Sequence, residues 1–405
     1  MSKLKLGVIR EGKVPPDKRV VLTPEQCVFV QQTFPQVDLV VQSSQVRIFS
    51  DDEYRNAGIT VSDDLSDRDV IIGVKEVPTD MLIPSKTYLF FSHTLKMQAH
   101  NRKLMRALLD KKIRLIDWEA IRQNGKRLIG FGRYAGIVGC YNGFRAWGLK
   151  HGTYELKPAN LCHDRAELEG ELKKVVLPSN FKAVATGFGR VGHGAREILS
   201  LLPIREVSKD EYLNESFNEP VFTHLDTHDY FARISDGGFD KSEFYGNGKA
   251  YKSILGRFTA VSDMYIACHF WSEHSPVILE ASDYTELSRL SVVADISCDV
   301  EGPIASTIKA STIAEPFFGY DPTTGTETDF MDAHAVAVMS VDNLPCELPR
   351  DASEDFGNEF IKHVLPRLLN NDADGVLAGA TETTFDGQLT EKFAYLSEYA
   401  GLTAE

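Results

Sequence analysis

Two short apolar runs constrain this chain more than any other feature: Val70-Ile71-Ile72-Gly73-Val74-Lys75 and Tyr88-Leu89-Phe90-Phe91-Ser92-His93. Apolar runs without polar alternation suit strands buried on both faces of a parallel sheet. Such a sheet needs crossover helices, and its chemistry gathers at the carboxyl ends of its strands. Each run ends there in an ionisable side chain. Lys75 and His93 are therefore read as a candidate acid–base pair delivered by neighbouring strands.

The surrounding sequence continues the alternation. Leu4-Lys5-Leu6-Gly7-Val8-Ile9 reads as a strand. Thr23-Pro24-Glu25-Gln26 opens a helix, with Thr23 as N-cap and Pro24 in the first turn. Val37-Asp38-Leu39-Val40-Val41-Gln42 is the next strand, Asp51 opens a short helix, 100–111 is amphipathic, and Arg114-Leu115-Ile116-Asp117 is a further strand. In Ala135-Gly136-Ile137-Val138-Gly139-Cys140-Tyr141-Asn142-Gly143 the glycines fall at helical spacing. Each costs a helix about 1 kcal/mol relative to alanine, so together they signal a long helix packed closely on another backbone as it crosses between domains. After a polar loop over 151–178, Lys182-Ala183-Val184-Ala185-Thr186 starts a second α/β unit. The 214–257 stretch reads as an insertion with some helix. Strand signals return at Met264-Tyr265-Ile266-Ala267-Cys268 and Ser291-Val292-Val293-Ala294-Asp295-Ile296, and helices are expected over 353–369 and 390–399.

A chain of 405 residues is too long for one ordinary core. The expected fold is α/β: two Rossmann-like, doubly wound domains with an active-site cleft between them. The substrate domain is discontinuous, 1–135 plus roughly 335–405, and the dinucleotide-binding domain is 136–334. A net charge of −14 argues against nucleic acid or an anionic membrane as partner. No apolar run reaches membrane-spanning length and no signal peptide is read at the start. The six cysteines show neither CxxC pairs nor metal spacing, which suits reduced thiols in a cytoplasmic protein without a metal.

Gly187-Phe188-Gly189-Arg190-Val191-Gly192 follows the 182–186 strand and opens a helix over 191–202. In that context the GxGxxG pattern has a mechanism. Gly187 and Gly189 permit a tight turn and close approach of a pyrophosphate, and Gly192 lets helix and strand pack. An NAD-binding unit carries an acid about 20 residues on, at the end of the second strand. Here Ile204-Arg205-Glu206-Val207-Ser208-Lys209 reads as that strand, and Ser208 and Lys209 stand where the acid belongs. A hydroxyl and a cation tolerate a 2′-phosphate, so the sequence leans to NADP over NAD; Glu206 or Asp210 restores NAD if the register differs.

A strand-end lysine is often a solvated charge and a lone histidine is often structural. As a pair beside a nucleotide fold they suggest proton chemistry: a desolvated lysine near cations loses pKa units, and histidine titrates near neutrality. Arg19, on the first strand–helix connection, has a fork suited to a substrate carboxylate or is a surface charge. Asp117 and Glu119 point at the same crevice, Glu119 as a partner for Lys75 or a substrate ammonium. Asp299 and Asp342 follow strands and suit either a site or a cap.

With these pieces together, the chain resembles the lysine-forming saccharopine dehydrogenase and lysine–ketoglutarate reductase family, whose relatives are alanine dehydrogenase and the proton-translocating transhydrogenases. The likeness is strongest to the reductase domain of the aminoadipic semialdehyde synthases. It rests on Lys86-Thr87-Tyr88-Leu89-Phe90-Phe91-Ser92-His93-Thr94-Leu95-Lys96, Arg114-Leu115-Ile116-Asp117-Trp118-Glu119, Thr312-Ile313-Ala314-Glu315-Pro316-Phe317 and Ser340-Val341-Asp342-Asn343-Leu344-Pro345-Cys346-Glu347-Leu348-Pro349. The resemblance implies reversible NAD(P)-dependent condensation of lysine with 2-oxoglutarate to saccharopine. Lys75 is then the base for the secondary amine, and His93 serves the carbinolamine and water steps. Arg19, Gln98, Lys126 and Phe131 align with substrate contacts, as do Ser297, Cys298 and Asp299. Arg127, Gly189, Arg190, Ile296, Val341, Asp342, Asn343 and Leu344 align with cofactor contacts. Lys126 replaces an arginine of the fungal relatives, which weakens a bidentate clamp. Ser208 replaces their NAD-reading aspartate, as in the NADP-using reductases. The alternatives are an alanine-dehydrogenase-like enzyme using free ammonia, and a non-catalytic nucleotide sensor on the same fold.

Overall fold

Short buried strands arrange the first unit. A computed structural model describes residues 3–284 and 288–402. The chain divides into two units, Met1–Phe131 with Pro349–Glu405, and Gly132–Leu348. In the first, β1 (Leu4–Val8), β2 (Val37–Gln42), β3 (Thr60–Ser62), β4 (Val70–Ile72), β5 (Thr87–Phe90) and β6 (Arg114–Asp117) form a parallel sheet in the order β3-β2-β1-β4-β5-β6. The order reverses between β1 and β4, so a crevice opens at their carboxyl ends. Every residue of β4 and β5 is buried, which explains why both read as continuous apolar runs.

The helix Pro24–Thr33 starts with a capping box in which Thr23 accepts from the Gln26 backbone and the Gln26 side chain accepts from that of Thr23. The C-terminal segment completes this core. Phe356, Phe360, Val364 and Leu365 share a buried cluster with Leu6, Leu22 and Trp118. Trp118 meets Phe356 edge-on with ring centroids 5.5 Å apart. The expected 353–369 helix is shifted and broken: an α-helix over Pro349–Glu359, a wide π-turn over Phe360–Val364, then Leu365–Leu369. Pro366 has no N–H to continue the ladder, which accounts for the widened turn before it. The expected 390–399 helix is a 3₁₀ stretch, Glu391–Leu396. A two-strand ribbon, β7 (Arg122–Gln123) and β8 (Lys126–Arg127), lies near the end of this unit's first segment.

The second unit holds β9 (Lys182–Thr186), β10 (Arg205–Glu206), β11 (Val221–Leu225), the hairpin β12 (Phe231–Arg233) and β13 (Tyr251–Ser253), β14 (Met264–Ala267), β15 (Val292–Asp295), β16 (Phe317–Asp321), β17 (Thr326–Thr328) and β18 (Val336–Met339). Eight of them form one sheet, β10-β11-β9-β14-β15-β18-β16-β17, parallel as far as β18 and antiparallel beyond it. The buried helix Gly132–His151 packs on the helix Arg190–Leu199. A Cβ on Gly136 would lie 1.9 Å from the Val191 carbonyl oxygen, so only glycine fits this approach.

Three sequence readings need correction. The return to the first unit falls at Pro349, not near 335, because β18 is a buried strand of the second sheet, with Ala337 opposite Val292. The first boundary lies at Phe131/Gly132 rather than 135/136. The strand expected over 204–209 shrinks to the two exposed residues of β10, while 214–257 contributes β11, a fully buried strand beside β9. Among the described residues no helix is long and apolar enough to cross a membrane.

Candidate functional site

In the first unit the crevice between β1 and β4 is lined by charge. Lys75 follows β4 and its backbone N–H donates to Glu11 Oε2 at 2.9 Å, while Val74 N–H donates to Glu11 Oε1 at 2.6 Å. The Glu11 carboxyl is enclosed although the residue as a whole is partly exposed. Loss of solvent, with Asp17 adding, pushes it up to about 8. The Lys75 ammonium is held below the ordinary lysine range, first by burial and then by Arg19 and Lys13. The shift is in the direction that favours the neutral amine.

His93 follows β5 in the left-handed region, φ +52°, a conformation that costs energy for a histidine and so marks a constrained position. Its Nδ1 lies 2.6 Å from Glu76 Oε1, and its ring lies parallel to Phe91. Lys13 Nζ stands 3.0 Å from the other Glu76 oxygen. Burial alone would raise the Glu76 carboxyl, but the hydrogen bond and charge of His93 outweigh it and hold it at about 2. The carboxylate fixes Nδ1 and leaves Nε2 as the atom for proton exchange.

The other expected residues are placed unevenly. Arg19 is buried beneath the crevice with its fork on Asp17, Nε to Oδ1 at 3.0 Å and Nη2 to Oδ2 at 2.6 Å, and its guanidinium lies 4.1 Å from the centre of the Phe131 ring. Burial would raise Asp17, but Arg19 overrides it and holds the acid at about 2. A bidentate substrate clamp by Arg19 is thus pre-empted by Asp17; what Arg19 supplies is charge beside Lys75. Glu119 pairs with Arg127 Nη2 at 2.6 Å, not with Lys75. Asp117 does not face the crevice: it is fully buried and accepts the N–H groups of Ser92 and Glu119, holding the turns after β5 and β6. Gln98 and Lys126 are exposed, Lys126 on the β7–β8 ribbon. Glu11, Lys13, Asp17 and Glu76 were missed by sequence reading; Glu76 directly follows Lys75, and Asp17 stands two residues from Arg19, the only signals available.

In the second unit the glycine turn follows β9, at the switch point between β9 and β14. Gly187 has φ +92°, and a Cβ there would lie 2.5 Å from the Cys268 carbonyl oxygen; on Gly192 it would lie 1.8 Å from that of Gly187. Over Gly189 a Cβ would meet nothing within 4 Å, so open space faces its backbone at the start of the Arg190–Leu199 helix. A tight turn, an open backbone face and a ten-residue helix start fit a pyrophosphate. Arg190 begins that helix. Ser208 is not part of this cradle. It caps the short helix Lys209–Asn214, its hydroxyl accepting from Glu211 N–H, one strand outside β11.

The neighbouring strand ends carry the remaining residues. Ser297 and the Cys298 N–H bond to Asp295 Oδ1, at 2.6 and 3.2 Å. Cys298 has φ +53°, and its thiol donates to the Ser340 carbonyl; burial, with Asp295, Asp342 and Asp299 adding, pushes it up to about 12, which favours the protonated thiol. Ile296, Val341 and Leu344 are buried, and Ile296 and Leu344 pack over Gly139, so a ligand could reach them chiefly through backbone. Asp342 is exposed, and Asn343 and Asp299 are half-buried. His269 was missed: it follows β14 as His93 follows β5, lies within 3.5 Å of Ser297 Oγ, and is held neutral by burial. Among the described residues no His, Cys, Asp or Glu cluster is placed to hold a metal.

Residues 7–138 match the alanine dehydrogenase/PNT N-terminal domain. Alpha-aminoadipic semialdehyde synthase of Rattus norvegicus, a mitochondrial protein, is 30% identical over 89% of this chain and 44% of its own length. The Arabidopsis thaliana protein of that name is 28% identical over 96% of the chain and 41% of its length. The chain thus spans less than half of these relatives. Saccharopine dehydrogenase [NAD(+), L-lysine-forming] of Yarrowia lipolytica is 27% identical over 82% of the chain and 83% of its length. Among solved structures, an L-alanine dehydrogenase superposes with a TM-score of 0.64 at 19% identity, covering 98% of this chain and 99% of that one, a likeness of fold.

Proposed function

We propose, for a chain that carries the alanine dehydrogenase/PNT N-terminal domain and is homologous to the aminoadipic semialdehyde synthases and lysine-forming saccharopine dehydrogenases, that it is a nicotinamide-dependent oxidoreductase joining L-lysine and 2-oxoglutarate reversibly into saccharopine. The observation that carries this reading is the pairing of a lysine of lowered pKa with a carboxylate-held histidine at the ends of adjacent strands.

The reaction is dominated by proton transfers. When the lysine ε-amine adds to the keto carbon, the carbinolamine oxygen must gain a proton before water leaves. His93, fixed through Nδ1 by Glu76, exchanges that proton at Nε2. In the reverse direction the secondary amine of saccharopine must lose a proton before its carbon–nitrogen bond is oxidised, and Lys75 takes it at Nζ. The cations around Lys75, Arg19 and Lys13, favour a dianionic keto acid. Gln98, Lys126, Phe131, Ser297, Cys298 and Asp299 are assigned to substrate by resemblance. Gly187, Gly189, Gly192 and the first N–H groups of the Arg190–Leu199 helix hold the nucleotide, with Arg127, Ile296 and 341–344 assigned to it by resemblance. A bound nicotinamide nucleotide supplies or accepts the hydride.

The test is oxidation of NADH and of NADPH in the presence of 2-oxoglutarate with lysine or ammonia as amine. The expected result is lysine-dependent oxidation. Turnover with ammonia alone would replace this reading by an alanine-dehydrogenase-like one, and absence of any amine-dependent signal would overturn it.

A further inference from the structure

The sheet order relocates the residue that reads the adenosine ribose. In a dinucleotide unit that residue stands at the carboxyl end of the strand lying directly beside the glycine-turn strand. Here the strand beside β9 is β11, with Leu225 opposite Thr186, while β10 pairs only with the first two residues of β11 on its far side. The junction is tight. Gly187 N–H donates to the Leu225 carbonyl at 3.0 Å, His224 Nε2 lies 2.7 Å from the Gly187 carbonyl oxygen, and the Phe188 ring stacks on His224 with centroids 4.1 Å apart. The next residue is Asp226.

We propose that Asp226 reads the adenosine ribose hydroxyls and selects NAD(H) over NADP(H). The proposal rests on reading the glycine turn as a dinucleotide site. Asp226 Oδ1 accepts the Thr227 N–H at 2.8 Å, Oδ2 lies 3.7 Å from His228 Nδ1, and the side chain is 43% exposed, so a ribose can still reach it. A carboxylate there accepts hydrogen bonds from two vicinal hydroxyls and repels a 2′-phosphate. Two cations on that edge are already ion-paired: Arg196 is bidentate to Glu206 at 2.7 Å, and Lys209 pairs with Asp229. Asp226 lies about forty residues past the turn instead of about 20 because β10 and the Lys209–Asn214 helix are inserted before the neighbouring strand.

The test is equilibrium titration of the full chain with NADH and NADPH, read by nucleotide fluorescence, for the wild type, Asp226→Ser and Ser208→Ala. Serine retains the cap at position 226. NADH is expected to bind the wild type more tightly than NADPH by about tenfold or more. Asp226→Ser should weaken NADH and narrow that ratio, and Ser208→Ala should leave the ratio where it was. Equal or tighter NADPH binding by the wild type, an unchanged ratio in Asp226→Ser, or a ratio moved by Ser208→Ala would each overturn the proposal while leaving the dinucleotide site standing. Binding of neither nucleotide would overturn both. Because the readout is binding, failure of lysine-dependent turnover leaves this result interpretable.

Discussion

His93 Nδ1 and Glu76 Oε1 lie 2.6 Å apart, joining the end of β5 to the end of β4 through a carboxylate held at about 2. Glu76 is thereby ionised near neutral pH, and its carboxylate engages Nδ1 of the ring.

That contact predicts a non-additive pair. His93→Asn should lower kcat by about 10² to 10⁴, the usual worth of a general acid–base group. Glu76→Gln keeps the shape but loses the charge, and should lower kcat by a smaller factor with little change in the KM for nucleotide. The double variant should be no slower than His93→Asn alone, because the two act as one unit. Steady-state kinetics on the four proteins decides it; a double variant slower by the product of the single effects would show that Glu76 acts elsewhere.

Lys75→Met should separate activity from stability. Turnover should fall by at least about 10², with nucleotide binding unchanged by titration. A lysine whose folded pKa lies below its unfolded value binds fewer protons when folded, so its burial penalty is present at low and neutral pH and fades as pH rises toward the ordinary lysine range. The neutral, similarly shaped methionine removes that penalty. Its Tm should therefore exceed the wild type's at pH 7, by a margin that shrinks at higher pH. A lower Tm at pH 7 would mean that Lys75 is not the strained charge described.

The sequence made the first sheet legible because strands buried on both faces leave continuous apolar runs, as in β4 and β5, and because the 23–26 cap is local. It concealed β11. Val221-Phe222-Thr223-His224-Leu225 carries a threonine and a histidine that break the apolar run, and the buried His224 finds its partner in the Gly187 carbonyl, a contact across the sheet. Reading that region as an insertion put the strand beside β9 at 204–209, where the structure has β11. The site was legible as two strand ends but not as a network: Glu76 meets His93 only because β4 and β5 are neighbours. Arg19 looked available because its pairing with Asp17, though local, leaves no periodic signature.

Gly136→Ala tests the helix contact behind the nucleotide cradle. The added methyl would stand 1.9 Å from the Val191 carbonyl oxygen and 2.8 Å from the Ala195 nitrogen, both backbone atoms of the helix that follows the glycine turn. Backbone cannot yield as a side-chain tip can, so the loss should be at the upper end of the roughly 1–3 kcal/mol of overpacking, or beyond it. Denaturant unfolding measures the stability, and NADH titration should show weakened binding in whatever protein remains folded. An unchanged midpoint would mean that the two helices part more readily than their packing implies.

Glu347 predicts a pH-dependent loss of stability in the second unit. It is 2% exposed and accepts a hydrogen bond from Asn142 Nδ2 at 2.9 Å. Burial raises its carboxyl to about 7, against opposing contributions from Asn142 and Arg145. Between the ordinary glutamate pKa and about 7 the folded chain therefore holds a proton that the unfolded chain has lost, so this group's stabilisation is complete below that window and is lost as pH rises through it. The slope is roughly 1.4 kcal/mol per pH unit at its steepest. Glu347→Gln can still accept from Asn142 while remaining neutral, so its unfolding free energy, measured by denaturant at pH 5, 6 and 7, should fall less with pH than the wild type's. Equal slopes for the two proteins would show that Glu347 is ionised in the fold.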